Sequence, residues 1–301
     1  MSGISTNRTN ITLPEEVSDE ILQKTQQASA VMQLARQTSL PGRGKAVPVI
    51  TSDPVAGWVG ETDEKPVSNP GLATKNMQAY QLAVIVPFSN QFRRDADALY
   101  AAIVERLPRA LAQKFDATVI GAVDAPGENF DTFAAATAQA LVPGANETVY
   151  GNLVAAYGDI AAAGGIMDGI AISPVGMSLL LGATGSDNRP IFNNAADAAI
   201  ARILGARTLE SRGMYKAGVA PVGTGAGTPA LVGVAGDWTQ ALWGTVGGVD
   251  ISISEESTLT IGTQQINLWQ RNMFAVRAEI EVGFRADVNC FNLLTGATPT
   301  T

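Results

Sequence analysis

A chain of 301 residues that is 46% hydrophobic has apolar surface enough for a substantial core, built as one large domain or two modest ones. Its net charge of -8 excludes a broad basic face that wraps nucleic acid, because affinity for phosphate comes mainly from Lys and Arg. With no His and a single Cys290, intrachain disulfides, mixed Cys/His zinc sites and Ser-His or Cys-His catalysis are excluded as well.

The charged fraction of 16% lies below the roughly 25% of typical soluble domains, and 31 glycines accompany an abundance of alanine. Such a composition points to surface covered by neighbouring chains in an assembly, or else to close backbone packing. Residues 1–13 are polar and carry no apolar core of a signal peptide, and no run approaches ~18 apolar residues. The expected site of synthesis is the cytoplasm, with no membrane contact.

In chain order, a Ser/Thr/Asn-rich tail comes first, and Leu13-Pro14-Glu15-Glu16 then opens an amphipathic helix. Its apolar residues Val17, Ile21, Leu22, Ala28, Val31, Met32 and Ala35 recur at helical steps. This is an arm, or else the ordinary first helix of a domain. From Leu40 to Val86 short strands follow at 46–50, 57–59 and 78–86, punctuated by Asp53-Pro54, Lys65-Pro66 and Asn69-Pro70-Gly71. They form a long hairpin whose polar stretch Glu61 to Asn69 has no core of its own, so it projects from the body or lies across a neighbour. Trp58, between glycines, is either an aromatic anchor for a neighbour's pocket or packed within its own hairpin.

The clearest helix spans 95–120, where Leu99, Ile103, Leu107, Leu111, Phe115 and Val119 make a four-residue stripe and Pro108 should bend the rod. A mixed α/β region follows, with helices at 149–163 and 174–181 and strands at 169–173, 216–222 and 230–235. Thr224-Gly225-Ala226-Gly227 lacks the Lys of a phosphate loop and reads as a flexible connection. Trp238 and Trp243 belong to the core of this region. At the C-terminal end Val249, Ile251 and Ile253 alternate, and in 267–284 Phe274, Val276, Ala278, Ile280 and Val282 alternate with Arg277, Glu279 and Glu281, as in a strand with one buried face.

Taken together, Gly57-Trp58-Val59-Gly60-Glu61, Val84 through Asp95, Gly236-Asp237-Trp238-Thr239-Gln240, Val249 through Glu255 and Asn272 through Glu279 resemble, in this order, motifs of the tailed-bacteriophage major capsid proteins. The resemblance covers about 40–293. It implies an α+β fold of the HK-ninety-seven type: an N-terminal arm at 1–45, an extended loop at 46–88, and a peripheral domain at 89–148 holding the spine helix. An axial domain at 149–247 and a second peripheral part with terminal strands at 248–301 complete it.

That family implies self-assembly into hexamers and pentamers of an icosahedral shell enclosing double-stranded DNA, without sequence-specific binding, cofactor or catalytic turnover. The implied partners are a portal protein and a scaffolding protein that is separate or else absent, with or without a decoration protein, and the implied location is the virion, after assembly in the bacterial cytoplasm. Two rival readings are an encapsulin-like nanocompartment shell and a soluble α/β enzyme using Asp168 or Asp237.

In part of the family a hairpin Lys attacks an Asn side chain of a neighbouring subunit, releasing ammonia while a Glu takes the proton. Lys65, Asn272 and Glu279 resemble those three residues. The plainer alternative makes Lys65 a solvated charge, Asn272 a turn residue and Glu279 the partner of Arg277 or Arg285 in an ion pair. Trp58, Glu61, Lys65, Arg93, Arg94 and Arg277 are the candidate contacts between subunits.

Overall fold

A computed structural model of the protein describes residues 15–52, 58, 59, 65, 67, 71–90, 96–142, 148–184, 190–192, 202–221 and 227–299. Helices α1 (Glu15–Ala28) and α2 (Ala30–Leu34) lead into strand β1 (Arg36–Ser39). The antiparallel hairpin β2 (Lys45–Ser52) and β3 (Gly71–Met77), strand β4 (Tyr80–Ser89) and helix α3 (Ala96–Val119) follow. The middle of the chain carries β5 (Thr137–Ala140), α4 (Val149–Ala162), β6 (Gly169–Ile172), α5 (Pro174–Leu181), β7 (Arg202–Ile203), β8 (Ala206–Glu210) and β9 (Leu231–Gly236). Last come β10 (Ala241–Thr245), β11 (Asp250–Ser254), the small hairpin β12 (Thr258–Ile261) and β13 (Gln264–Asn267), β14 (Met273–Ala286) and β15 (Phe291–Thr295). No helix among the described residues is long and apolar enough to cross a membrane.

The expected N-terminal helix is two helices. Ser29 stands at the break with extended backbone, and its Oγ accepts from Met32 N at 3.1 Å, capping α2. On α3 the stripe is borne out where side chains are described: Leu107, Leu111, Phe115 and Val119 are buried, and Pro108 lies inside a helix that runs on through it. Ile21 of α1 joins Leu107 and Leu111 in one cluster, so the arm lies along the spine helix.

Three expectations need correction. Trp58 and Val59 are in no strand, and the strand that pairs with β2 is β3, whose Ala-Thr-Lys-Asn sequence has no apolar alternation and only Thr74 as a β-former. Residues 216–221 form only single bridges, Lys216 with Leu231 and Val219 with Thr228. Pro221 has no N–H, and a Cβ on Gly218 would stand 2.6 Å from Thr228 O, so no ladder continues. The terminal strand starts at Met273 and not at 267, because residues 258–267 fold back as β12 and β13.

Strand β14 organises one sheet. Along one edge it pairs with β4 over ten residues, and along the other it pairs with β10 and then β11, with β1 added parallel beyond β10. The second sheet has the order β5-β15-β9-β6-β8-β7. It takes β15 from the C-terminal segment and β5 from the segment after the spine helix, two strands that the sequence grouped with the peripheral parts. Pairing partners so distant along the chain leave no local pattern.

Two of the passages between the sheets, from β9 to β10 and from β14 to β15, use the same device, while the third runs from β4 through α3 to β5. After β9, Asp237 caps a 3₁₀ turn at Trp238–Gln240, its Oδ1 accepting from Thr239 N at 3.0 Å. After β14, Asp287 caps a 3₁₀ turn at Val288–Cys290, accepting from Asn289 N at 3.2 Å. The two crossings are tied together, since Asp237 N donates to Cys290 O and Asp287 N to Gln240 O.

Around these crossings sits an aromatic cluster of Phe115, Phe130, Phe133, Trp238, Phe284 and Phe291, with Phe133 and Phe291 ring centroids 4.3 Å apart. Trp238 and Trp243 are buried as expected. Trp238 Nε1 donates to Gly169 O at 2.9 Å, and a Cβ on Gly169 would come within 2.5 Å of the indole. Trp238→Phe keeps an aromatic ring but strips this buried carbonyl of its donor, so urea titration should show a loss of about 1–3 kcal/mol.

Candidate assembly surfaces

The hairpin is held at its root, and the described residues between its strands are exposed. Trp58 is wholly exposed, at 107%, and Val59, Lys65 and Val67 are exposed too. The indole therefore does not pack within its own hairpin. Glu61, Arg93 and Arg94, the other candidate contacts of this region, lie outside the described residues.

Arg285 of β14 grips the root. Its Nε and one terminal nitrogen donate to Asn76 O on β3, and that same nitrogen donates to Asn129 Oδ1 at 2.8 Å. The other terminal nitrogen donates to Asp131 Oδ1 at 2.7 Å. Asp131 Oδ2 accepts from Ala286 N at 3.1 Å and has Lys75 Nζ at 3.7 Å. A planar fork with fixed donor directions suits three acceptors held on separate segments.

The terminal strand distributes its candidates along its length. Asn272 takes the left-handed conformation, φ 53°, in the turn before β14, and its Oδ1 accepts from Asn90 Nδ2 at 2.8 Å. Arg277 is half exposed, with Nε 3.1 Å from both Glu279 Oε1 and Ser252 Oγ. Seven positions of extended chain separate Asn272 from Glu279, roughly 23 Å at ~3.3 Å per residue. Within one chain they do not share a reaction site; a Lys65 crosslink would draw the amide and the base from different copies.

One residue missed at the level of sequence joins the arm to the spine. Asp116 on α3 is fully buried and accepts from Ser29 Oγ at 2.5 Å, Ser211 Oγ at 2.6 Å, Ala30 N at 3.1 Å and Val31 N at 3.4 Å. It therefore receives the first N–H groups of α2, where the helix end is positive. Burial pushes its carboxyl up to about 6, against the four hydrogen bonds that favour the charged form. The only sequence signal was an acidic residue flanking the apolar stripe.

Asp168 and Asp237, on which an enzyme reading would rely, are engaged with backbone. Asp168 Oδ1 accepts from Trp238 N at 2.9 Å, and Asp237 Oδ2 accepts from Ile166 N at 3.1 Å. Among the described residues no group of three or more Cys, Asp or Glu is placed to hold a metal ion.

Arm, rooted hairpin, spine helix and two cross-linked sheets define an α+β chain of the HK-ninety-seven-type shell fold. Solved structures share it. One chain from Gordonia phage Cozz superposes with a TM-score of 0.66 at 24% identity, covering 90% of this chain and 87% of that one. Another, described as the capsid of an empty GTA particle, reaches 0.63 at 14% identity, covering 90% of each. In sequence, the probable major capsid protein of Mycobacterium phage L5 is 29% identical over 95% of this chain and 90% of its own length. The corresponding protein of Mycobacterium phage D29 is 26% identical over 94% and 89%. The sequence pattern of the phage capsid family matches residues 9–289, and the chain belongs to that family.

Proposed function

We propose that this chain is the major capsid protein of a tailed phage, assembling into hexamers and pentamers of an icosahedral shell around double-stranded DNA. The observation that carries the reading is family membership over residues 9–289, nearly the whole chain. The hairpin supports it, since Trp58 and Val67, which lie between its two strands in the chain, are bare and meet little of their own chain. In this reading 1–45 is the arm, 46–88 the extended loop, 89–148 and 248–301 the two peripheral parts, and 149–247 the axial domain. A portal protein, a scaffolding protein and a decoration protein complete the particle, which is assembled in the host cytoplasm. Contact falls to Trp58, Glu61, Lys65, Arg93, Arg94 and Arg277.

Negative-stain microscopy of the expressed chain should show closed particles, and particles from infected cells should hold nuclease-resistant DNA. Small shells filled with protein would favour a nanocompartment, and a monomer at all concentrations would sink the shell reading. The ion pair of Glu279 with Arg277 supports a noncovalent shell. Mature particles boiled in detergent should run as one band near 31.2 kDa. A ladder of multiples lost in both Lys65→Ala and Asn272→Ala would instead establish the crosslink.

A further inference from the structure

The outward face of α4 lacks the polar cover of a solvent-facing helix. Tyr150, Val154 and Tyr157, four and then three residues apart, are each 43–45% exposed, while Leu153, Ala156 and Ile160 fill the opposite side in the core. A helix apolar all round is normally buried all round. Its one charged residue, Asp159, is turned away, accepting from Gln139 Nε2 at 2.9 Å and Asn292 Nδ2 at 3.3 Å.

Gly158 adds an independent observation. Glycine in a helix interior weakens the helix, so its presence calls for a close approach that a Cβ would block. Gly169 and Gly236 have such reasons inside the chain, where a Cβ would strike Trp238 and Phe291. At Gly158 an added Cβ would meet nothing within 4 Å. Nothing inside the chain therefore requires this glycine, and the space over it is open to a close approach by another molecule.

The occupant with the right chemistry is a second copy. A chain of net charge -8 repels itself wherever its carboxylates face each other, and this uncharged face is where two copies meet with least repulsion. A helix of 14 residues is about 21 Å long and about 10 Å wide, so its face offers roughly 200 Å², a quarter of the ~800 Å² per partner in a stable interface. The α4 face is then the tightly packed part of a larger contact, where Tyr is favoured.

We propose that the α4 face around Val154, Tyr157 and Gly158 packs against a neighbouring copy of this chain in the shell, an assignment that rests on the shell reading above. The test compares full-length wild type, Gly158→Leu and Val154→Asp. Melting followed by circular dichroism reports the fold, and sedimentation with microscopy reports particle yield. Both variants should melt within a few degrees of wild type or above it, because neither removes a buried group, while particle yield falls roughly tenfold or more. Variants that assemble like wild type overturn the α4 assignment and leave the shell reading standing. Loss of particles together with a markedly lower melting temperature in both variants places the defect in the fold and overturns it as well. A wild-type chain that forms no particles overturns both readings.

Discussion

Asp116→Ala is expected to lower the unfolding free energy by about 3–5 kcal/mol, because it orphans two buried hydroxyls and two backbone N–H groups at once. Each orphaned buried donor costs about 1–3 kcal/mol, and the serines recover part of this by turning to other acceptors. The damage should centre on the arm, since three of the four donors belong to the Ser29 junction between α1 and α2. Proteolysis within residues 15–34 should accelerate well before the sheets open. A variant that unfolds like wild type with an unchanged cleavage pattern would show that Asp116 does not hold the arm.

The same carboxylate makes stability depend on pH, with a definite sign. Its folded value of about 6 lies above the ordinary 3.8, so between these the folded state binds the extra proton. The proton-linked part of its contribution is fully present below about pH 4 and is lost as pH rises through 6. Two units correspond to about 3 kcal/mol. Asp116→Asn keeps the shape and an acceptor while removing the titration. The difference in unfolding free energy between wild type and Asp116→Asn should therefore shift by about 2.4 kcal/mol between pH 4 and 7, in the direction that favours wild type at low pH. A difference that stays flat across that range would remove Asp116 from the account. The functional consequence is that the arm grips the spine helix harder as pH falls from 6 to 4.

How far the sequence could be read follows from which faces are covered by what. The α3 stripe and the β14 alternation were legible because each element buries one side against its near neighbours, so Leu107, Leu111 and Phe115 keep helical spacing and Phe274, Val276 and Ala278 keep strand spacing. Strands β5 and β15 were illegible. They are short, and β15, paired with β9 on one edge and β5 on the other, is buried along its whole length, with Asn292 Nδ2 donating to Ala156 O rather than to solvent. In the hairpin, Trp58 and Lys65 could be picked out because a polar run broken by Pro and Gly has no core to hide in. Arg285 could not. It continues the outward register of Arg277, Glu279 and Glu281 and reads as another surface charge. Only the fold brings Asn76 and the loop of Asn129 and Asp131 over that end of the strand.

Arg285→Ala should therefore act far more strongly than its place in the pattern suggests. Its side chain is 10% exposed, and removing it leaves Asp131, itself 18% exposed, without its main cation and Asn76 O without its donors. Breaking a mostly buried pair from one side costs about 3–5 kcal/mol, reduced here to the lower end because Lys75 stays within reach of Asp131. Arg285→Lys should recover less than half of the loss, since one ammonium does not serve Asn76, Asn129 and Asp131 together. The local readout is sharper than the global one. Amide hydrogen exchange in β2 and β3 should speed up by more than tenfold in Arg285→Ala, while β9 and β15 exchange nearly as before. Uniform acceleration across both sheets would mean that Arg285 serves general stability only. If the root loosens as expected, the hairpin loses the fixed angle at which Trp58 and Lys65 leave the body, and assembly should fail in a chain whose sheets remain folded.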